Sequence, residues 1–145
     1  MRRTVVLALL AGALCCGAAQ AASSSTPVKL PKKLTSPSGN FFTLYAFDQP
    51  TSGDPVASAE IQVCASATTP EPNTYLDPAL FTVKLTSGKT VGLAKTAAHK
   101  PQLVLQHLNP RQCSTKGWMS FDVPSGSTVA QLVYDYDGKI SWKVG

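Results

Sequence analysis

The feature that most constrains the fold is a period-two alternation of apolar residues on both sides of short turns. The clearest case is C-terminal, where "TVAQLVYDY" leads into Asp137-Gly138 and then into "KISWKV". Asp-Gly is a strong signal for a two-residue hairpin turn, and alternation on both sides is typical of paired strands with one buried face. The C-terminal segment is therefore predicted to be a β-hairpin.

The same pattern recurs along the chain. "FTVKL" at 81–85 and "TVGLA" at 90–94 flank a Ser-Gly turn, which predicts a second hairpin. Further strand-like runs are found at 41–47, 56–65, 102–108 and 118–124. A helix competes only at 97–108, where Pro101 argues against it. Seven to eight antiparallel strands predict an all-β fold, specifically an immunoglobulin-like β-sandwich.

Burial of one face of each strand should form the core. Each large apolar side chain contributes about 1.5–3 kcal/mol when fully buried. The predicted core residues are Phe81, Val83, Leu85, Val91, Leu93, Met119, Phe121, Val123, Ile140, Trp142 and Val144.

The N-terminus has the pattern of an export signal. Two arginines precede an apolar stretch and a small-x-small cleavage site at 19–21, so residues 1–21 are predicted to be a secretory signal peptide. Cys15 and Cys16 raise the alternative of a lipid-anchored form at the cell envelope, although neither follows a small residue. Residues 22–39, rich in Ser, Pro and Lys, are predicted to be a flexible linker, and 40–145 a single domain. No other stretch has the length of a membrane span.

The charge distribution argues against nucleic-acid binding. The formal net charge of the chain is +5, but Arg2 and Arg3 belong to the predicted signal. From residue 37 onward, the chain has eight basic and eight acidic residues, so their charges cancel. A neutral body without a basic stripe is not typical of a nucleic-acid-binding domain.

Cys64 and Cys113 remain after removal of the signal. Paired cysteines in an exported chain normally form a disulfide, which we predict here. The competing role for Cys113, a catalytic nucleophile, would require a nearby base, and His99 and His107 are the two histidines of the chain.

The C-terminal block resembles a known family. "LNPRQC" followed by "GWMSFDVPSGSTVAQLVYDYDGKISWKV" is similar to the telokin-like, immunoglobulin-like domains of unknown function in secreted actinobacterial and other Gram-positive proteins. The matching features are a loop ending in Gly117, a Trp-led strand, Phe-x-Val-Pro at 121–124 and "LVY" at 132–134. The resemblance implies a seven- or eight-stranded sandwich outside the cytoplasm, and it implies no catalytic residues.

The cysteines depart from the immunoglobulin pattern. Cys64 shares a strand face with Glu60 and Gln62, opposite Ile61 and Val63, and Cys113 lies in a predicted loop. A disulfide between them should therefore brace the rim of the fold and not cross its centre, unless a bulge reverses the alternation.

Metal and hydrolase chemistry have weak support. His99 and His107 are eight residues apart without a carboxylate in the local motif, and Asp135 to Gly138 resembles only the start of a calcium loop. No Gly-x-Ser-x-Gly occurs. We therefore expect no catalytic residues, no metal site and no cofactor.

Aromatic residues are the remaining candidates for binding. Phe41, Tyr45 and Phe47 alternate with Phe42 and Leu44, so both faces of the first strand are apolar. Either that strand is buried on both sides, or one side is a contact surface. Trp118 presents the same choice between burial under a loop and exposure.

These observations favour a secreted, non-catalytic module that acts by surface recognition at the cell envelope or in the medium. Its partner would be an extracellular protein or carbohydrate. Two alternatives remain: an inhibitor of an extracellular enzyme, with Arg111 in "NPRQCSTKG" as its anchor, and a small-molecule carrier with a pocket between its sheets.

Overall fold

The computed structural model describes residues 29–68, 74–95, 97–136 and 138–145. The predicted signal peptide 1–21, with Cys15 and Cys16, and residues 22–28 of the predicted linker lie outside these ranges, as does Asp137. The described residues contain a 3₁₀ turn at Pro78–Leu80 and ten strands. The strands are β1 (Lys32–Thr35), β2 (Phe41–Asp48), β3 (Val56–Cys64), β4 (Thr74–Leu76), β5 (Phe81–Leu85), β6 (Thr90–Gly92), β7 (Gln106–Leu108), β8 (Gly117–Asp122), β9 (Val129–Tyr134) and β10 (Ile140–Lys143).

The strands form antiparallel sheets. Sheet 1 has the order β1-β2-β3-β8, sheet 2 has the order β10-β9-β5-β6, and β4 pairs with β7. The prediction of an all-β fold is confirmed. Within the described residues, no helix has the length and apolar character needed to cross a membrane.

Both predicted hairpins are present, but the register of β9 with β10 is not that of a two-residue turn at 137–138, because Tyr134 lies opposite Ile140 and not opposite Ser141. β9 pairs with β10 so that Leu132 lies opposite Trp142, and β5 pairs with β6 so that Val83 lies opposite Val91. In the turn between β5 and β6, Gly88 has a φ of 87°, a left-handed conformation that glycine adopts without steric cost.

The two large sheets contribute to one core. The rings of Phe42 in sheet 1 and Tyr134 in sheet 2 have centroids 4.8 Å apart, and Tyr134 also contacts Phe81 at 4.5 Å. Trp142 is fully buried, and its Nε1 donates a hydrogen bond to the carbonyl of Lys32 at 3.2 Å. Of the predicted core residues, Val91, Leu93 and Val144 are only partly buried against the core, and the others are buried.

The ordered fold begins earlier than the sequence indicated. Residues 32–35, assigned above to a linker, form β1 and pair with β2, so that Leu34 lies opposite Phe42 and packs against the core. Four residues flanked by proline and serine carry little alternation, and Lys and Pro are common at sheet edges, where they block further pairing. An edge strand of this composition is hard to distinguish from a linker.

A β-bulge in β2 changes the predicted facing of one aromatic residue. The register with β3 shifts between Leu44 and Ala46, and Phe47 then lies opposite Ala59 and packs against the core. The grouping of Phe47 with Phe41 and Tyr45 on one face was therefore wrong, because an extra residue reverses the alternation beyond it.

The segment that follows β6 covers the outer edge of β8. Ala94 N donates to the Ser120 carbonyl at 2.8 Å, Trp118 N donates to Pro101 O at 2.8 Å, and Leu103 N donates to Trp118 O at 2.9 Å. The predicted strand at 102–108 is therefore divided, with a single bridge from Gln102 to Trp118 and a short β7. A covered edge cannot pair with another chain.

Candidate recognition surface

The outward side of sheet 1 carries three partly buried aromatic rings, those of Phe41, Tyr45 and Trp118, which we call the aromatic face. Phe41 lies opposite Cys64, and Trp118 lies opposite Glu60. Since Phe42, Leu44 and Ile61 alternate with these positions and are buried, the sheet register directs the aromatic face away from the core.

A lysine ammonium covers each of the first two rings. Lys33 Nζ lies 3.7 Å from the ring centroid of Phe41, and Lys116 Nζ lies 3.7 Å from that of Tyr45. Cation–π contacts at exposed sites contribute about 0.5–1 kcal/mol each. The aromatic face therefore presents cationic groups above apolar rings.

Hydrogen bonds to β3 and its neighbour fix Tyr45. Its hydroxyl donates to Gln62 Oε1 at 3.0 Å, and Gln62 Nε2 donates to the carbonyl of Ser114 at 2.9 Å. Tyr45 is the residue at the β2 bulge, between Leu44 and Ala46, where it has no partner of its own in the β3 register. The Tyr45 phenol and the Gln62 amide are therefore held in place by strands β2 and β3, whose backbones are hydrogen-bonded to each other.

The third ring lies beneath an imidazole. His99 and Trp118 have ring centroids 4.4 Å apart, and His99 Nε2 lies 3.1 Å from Asp48 Oδ2. The side chains of His99 and Asp48 are about half exposed, at 47% and 53%. Trp118 is therefore partly covered by the segment before β7, which leaves this end of the aromatic face polar and accessible.

Two buried hydroxyls hold that segment against the sheet. Ser58 and Ser120, opposite each other on β3 and β8, have their Oγ atoms 2.9 Å apart. Ser120 Oγ also accepts a hydrogen bond from Ala98 N at 2.8 Å. The backbone next to His99 is thus fixed by a satisfied polar pair, which orders the imidazole over Trp118.

The predicted disulfide joins Cys64 and Cys113 at the other end of β3. Ala65 N donates to Gln112 O and Ser114 N donates to Val63 O, so the two cysteines form an antiparallel pair with Cα atoms 3.9 Å apart. Cys113 is exposed and Val63 is buried. The disulfide therefore lies on the outward side of sheet 1, at the rim and not across the core.

The loop before this disulfide ends in a tight turn. Gln112 N donates to Asn109 O at 2.9 Å, and the Gln112 side chain accepts from Asn109 N at 2.9 Å. Arg111, the third residue of this turn, is exposed and has a φ of 67°, which glycine normally adopts. Among the described residues it is the one non-glycine residue with positive φ.

The two histidines have different surroundings. His107 on β7 contacts the ring of Tyr75 at 4.9 Å, whereas His99 contacts Trp118 and Asp48. Within the described part of the chain, no group of three or more His, Cys, Asp or Glu side chains has the arrangement of a metal site. Asp135 N donates to the Leu80 carbonyl at 3.2 Å, and Asp137, in the segment that resembles the start of a calcium loop, lies outside the described residues.

The sequence indicated the aromatic rings but not what covers them. Lys33 was assigned to a linker, and His99 was considered only as a base for Cys113 or as a metal ligand. Aromatic residues on both faces of β2 were the available signal. The missing information was the register, which brings Lys116 across β3 to Tyr45.

No protein-family model, curated protein or solved structure matches this chain. The functional interpretation therefore depends on the surfaces described above.

Proposed function

We propose that this protein is a secreted, non-catalytic immunoglobulin-like module that binds an extracellular protein or carbohydrate through the aromatic face, at the cell envelope or in the medium. The resemblance of residues 117–144 to telokin-like domains supports the immunoglobulin-like assignment, as do two four-stranded sheets with a shared core. The apolar h-region and cleavage site at the N-terminus, together with the disulfide, support export.

The observation that carries this proposal is the composition and order of the aromatic face. Tyr and Trp side chains are enriched at binding hot spots, because they bury a large area at low conformational cost. Tyr45 and Trp118 are held by hydrogen bonds and ring contacts before any partner binds. A surface ordered in advance loses less entropy on association.

Affinity capture from envelope extracts tests the proposal. The immobilised domain should retain a specific species, and the variant Tyr45→Ser/Lys116→Ser should lose it. A matched control is Tyr136→Ser/Lys100→Ser, since both of its residues are exposed and lie outside the aromatic face. The control removes the same residue types and should retain the species.

Two results would contradict the proposal. One is retention of the same species by Tyr45→Ser/Lys116→Ser at wild-type strength. The other is turnover of a generic esterase, glycosidase or peptidase substrate that His107→Ala abolishes, since that result would make the protein an enzyme.

A second candidate is an enzyme inhibitor that uses the turn at 109–112. The observation that favours it is an exposed Arg111 held at positive φ beside a disulfide. Its backbone is not extended, so the loop would not bind a protease cleft as a substrate-like strand, and Arg111 would act as an anchor in an acidic pocket. Titration of trypsin-like proteases tests this candidate, and the absence of inhibition at micromolar concentration removes it.

The carrier alternative has less support. Large side chains occupy the space between the sheets, and Trp142, Tyr134, Phe42, Phe81 and Phe121 are each under 2% exposed. Such packing does not favour a ligand pocket between the sheets.

A further inference from the structure

The charged residues on the outward side of sheet 1 are segregated along its strands. Lys33 lies on β1 in the row that contains Thr43 and Gln62. Lys116 directly precedes β8, and its ammonium lies over the ring of Tyr45. Both lysines are therefore near the end of the sheet where the disulfide is attached to β3, which we call the cationic end.

Carboxylates occupy the rows toward the other end. Glu60, Asp48 and Asp122 lie in three successive outward rows, whose β3 positions are 60, 58 and 56. Each row is about 7 Å from the next. Lys95 and Lys100, in the segment beside β8, offset part but not all of these three negative charges. We call this part of the sheet the acidic end.

Most of these charges have no partner of opposite sign within the fold. Among the described residues, the one ion pair joins His99 and Asp48. Glu60, Asp122 and the two lysines of the cationic end therefore have no opposite charge within 4 Å. The two lysine ammonium groups lie instead over rings of the aromatic face. Charges of both signs thus remain for a partner, and they are separated along the strands.

A surface with this arrangement of charges is complementary to a second copy of itself turned end for end. A two-fold axis that lies between two such faces and runs across the strands places the cationic end of each copy over the acidic end of the other. An axis parallel to the strands would instead place like charges over each other. The charge pattern therefore favours one arrangement of a face-to-face pair.

The shape of the surface is compatible with that arrangement. Ala98 N donates to Ser120 Oγ, so the segment at 97–101 lies over the outward side of β8 at the acidic end. In the end-for-end pair, this raised segment faces the cationic end of the other copy, where Cys113 is exposed. Sheets packed face to face lie about 10 Å apart, a gap that a lysine and a carboxylate from opposite sheets can span.

The area of the surface determines how tightly two copies can associate. Four strands about 4.8 Å apart and the eight residues of β2 outline a surface of about 19 Å by 26 Å, or about 500 Å² per copy. The total for two copies, about 1,000 Å², is at the low end for specific interfaces. The pair should therefore form weakly and dissociate on dilution.

We propose that the partner of the aromatic face is a second copy of this chain, packed face to face and end for end. This inference rests on the proposed function, since it identifies the partner of the same surface. The three rings of each copy pack between the two sheets, and the lysines of each copy lie near the carboxylates of the other. Tyr45 buries its ring with its hydroxyl already bonded to Gln62.

Analytical ultracentrifugation of the form that begins at Ala22, after the predicted cleavage site, tests this inference. At low salt, the mean mass should rise from that of a monomer toward that of a dimer as the protein concentration is raised from micromolar to millimolar. Added salt should weaken the association, because exposed charges are screened.

Two variants make the charges of this surface mainly of one sign. Lys33→Glu/Lys116→Glu makes it acidic, and Asp48→Lys/Glu60→Lys makes it basic. Each variant alone should dimerise about tenfold more weakly than the wild type or worse, because like charges then oppose each other. An equimolar mixture of the two variants should associate at least as tightly as the wild type, because each surface then meets one of opposite charge.

The matched control is Lys84→Glu/Lys143→Glu, which makes the same change of net charge at exposed positions of sheet 2. It should dimerise as the wild type does, and all variants should melt cooperatively, which excludes unfolding as the cause of a loss. Three results would overturn the inference: a wild type that is monomeric at millimolar concentration and low salt, a mixture that does not associate, or equal losses in the control and in Lys33→Glu/Lys116→Glu.

The inference and the proposed function fail in different ways. If the purified wild type is monomeric while the immobilised domain retains another species that Tyr45→Ser/Lys116→Ser loses, the inference is wrong and the proposed function stands. If the inference is correct, the species retained from envelope extracts should be the protein itself. Retention that is unchanged in Tyr45→Ser/Lys116→Ser contradicts the proposed function, whatever the mass of the purified protein.

Discussion

Arg111 occupies a turn position that glycine occupies elsewhere in the same protein. In the turn at 109–112, Gln112 N donates to Asn109 O, and in the turn at 124–127, Ser127 N donates to Pro124 O at 3.0 Å. The third residue has a φ of 67° at Arg111 and 75° at Gly126. A side chain in this left-handed region costs about 1–2 kcal/mol, because its Cβ approaches backbone oxygen.

We expect Arg111→Gly to stabilise the fold by about 0.5–1 kcal/mol, since the relief of strain exceeds the added entropy of the unfolded chain. The reciprocal change, Gly126→Ala, should destabilise it by about 1 kcal/mol. A Cβ at Gly126 would meet no heavy atom within 4 Å, so that variant measures the backbone effect without a steric clash. Arg111→Ala separates the loss of the guanidinium from the backbone effect and should change stability little.

Urea unfolding followed by tryptophan fluorescence, with the disulfide intact, measures these differences as shifts of midpoint at constant slope. The reasoning is refuted if Arg111→Ala is as stable as Arg111→Gly while Gly126→Ala is destabilised. If Arg111→Gly raises the free energy of unfolding, then the arginine at this position lowers the stability of the native protein. Residues kept under strain cluster at functional sites, so such a gain would strengthen the case for the inhibitor candidate.

Three further variants test the packing of the core and of the sheet that carries the aromatic face. Gln49→Leu should lower the free energy of unfolding by about 2–3 kcal/mol, since the Gln49 amide makes three hydrogen bonds, to Val129 N, Val129 O and Val144 O. The control Gln102→Leu, at an exposed site, should change that free energy by less than about 0.5 kcal/mol in the same urea assay. Gly117→Ala should destabilise the fold and increase amide exchange at Leu103, because its Cβ would lie 2.6 Å from Leu103 Cα. Replacement of both disulfide cysteines by serine should cost about 4 kcal/mol by chain-entropy arithmetic for a separation of 49 residues, and thermal unfolding of the reduced wild type should give the same loss.

The sequence predicted those strands whose pairing is local. β9 and β10 are joined by a turn with a glycine signal, and buried and exposed residues alternate along β10, so the local pattern was sufficient. The same holds for β5 and β6. In both hairpins the partner of each residue lies within about a dozen positions of the chain.

Features set by distant pairing could not be predicted in this way. β1 is a strand because β2 and the core accept Leu34, not because four residues of Lys, Leu and Thr favour a strand. The facing of Phe47 depends on a bulge defined by the register of β2 with β3. Alternation locates a buried face only between such irregularities.

Local alternation was equally insufficient to predict which residues of the aromatic face are covered. Phe41, Tyr45 and Trp118 were identified as ambiguous, because an apolar residue on the outward side of a strand can be covered or exposed. What resolves the choice for Trp118 is the segment at 97–103, which pairs with β8 through backbone bonds that have no sequence signature. No local pattern places His99 over that ring.

The order of the aromatic face follows from bracing at both ends of β3. At one end, the disulfide and the bond from Ser114 N to Val63 O fix the chain that leads to Lys116, which covers Tyr45. At the other end, the buried Ser58–Ser120 pair fixes the backbone beside His99, which covers Trp118. Side chains held in this way have already lost conformational entropy on folding, so that cost does not recur on binding. The covalent and polar bonds that stabilise this sheet therefore also prepare its outward side for a partner.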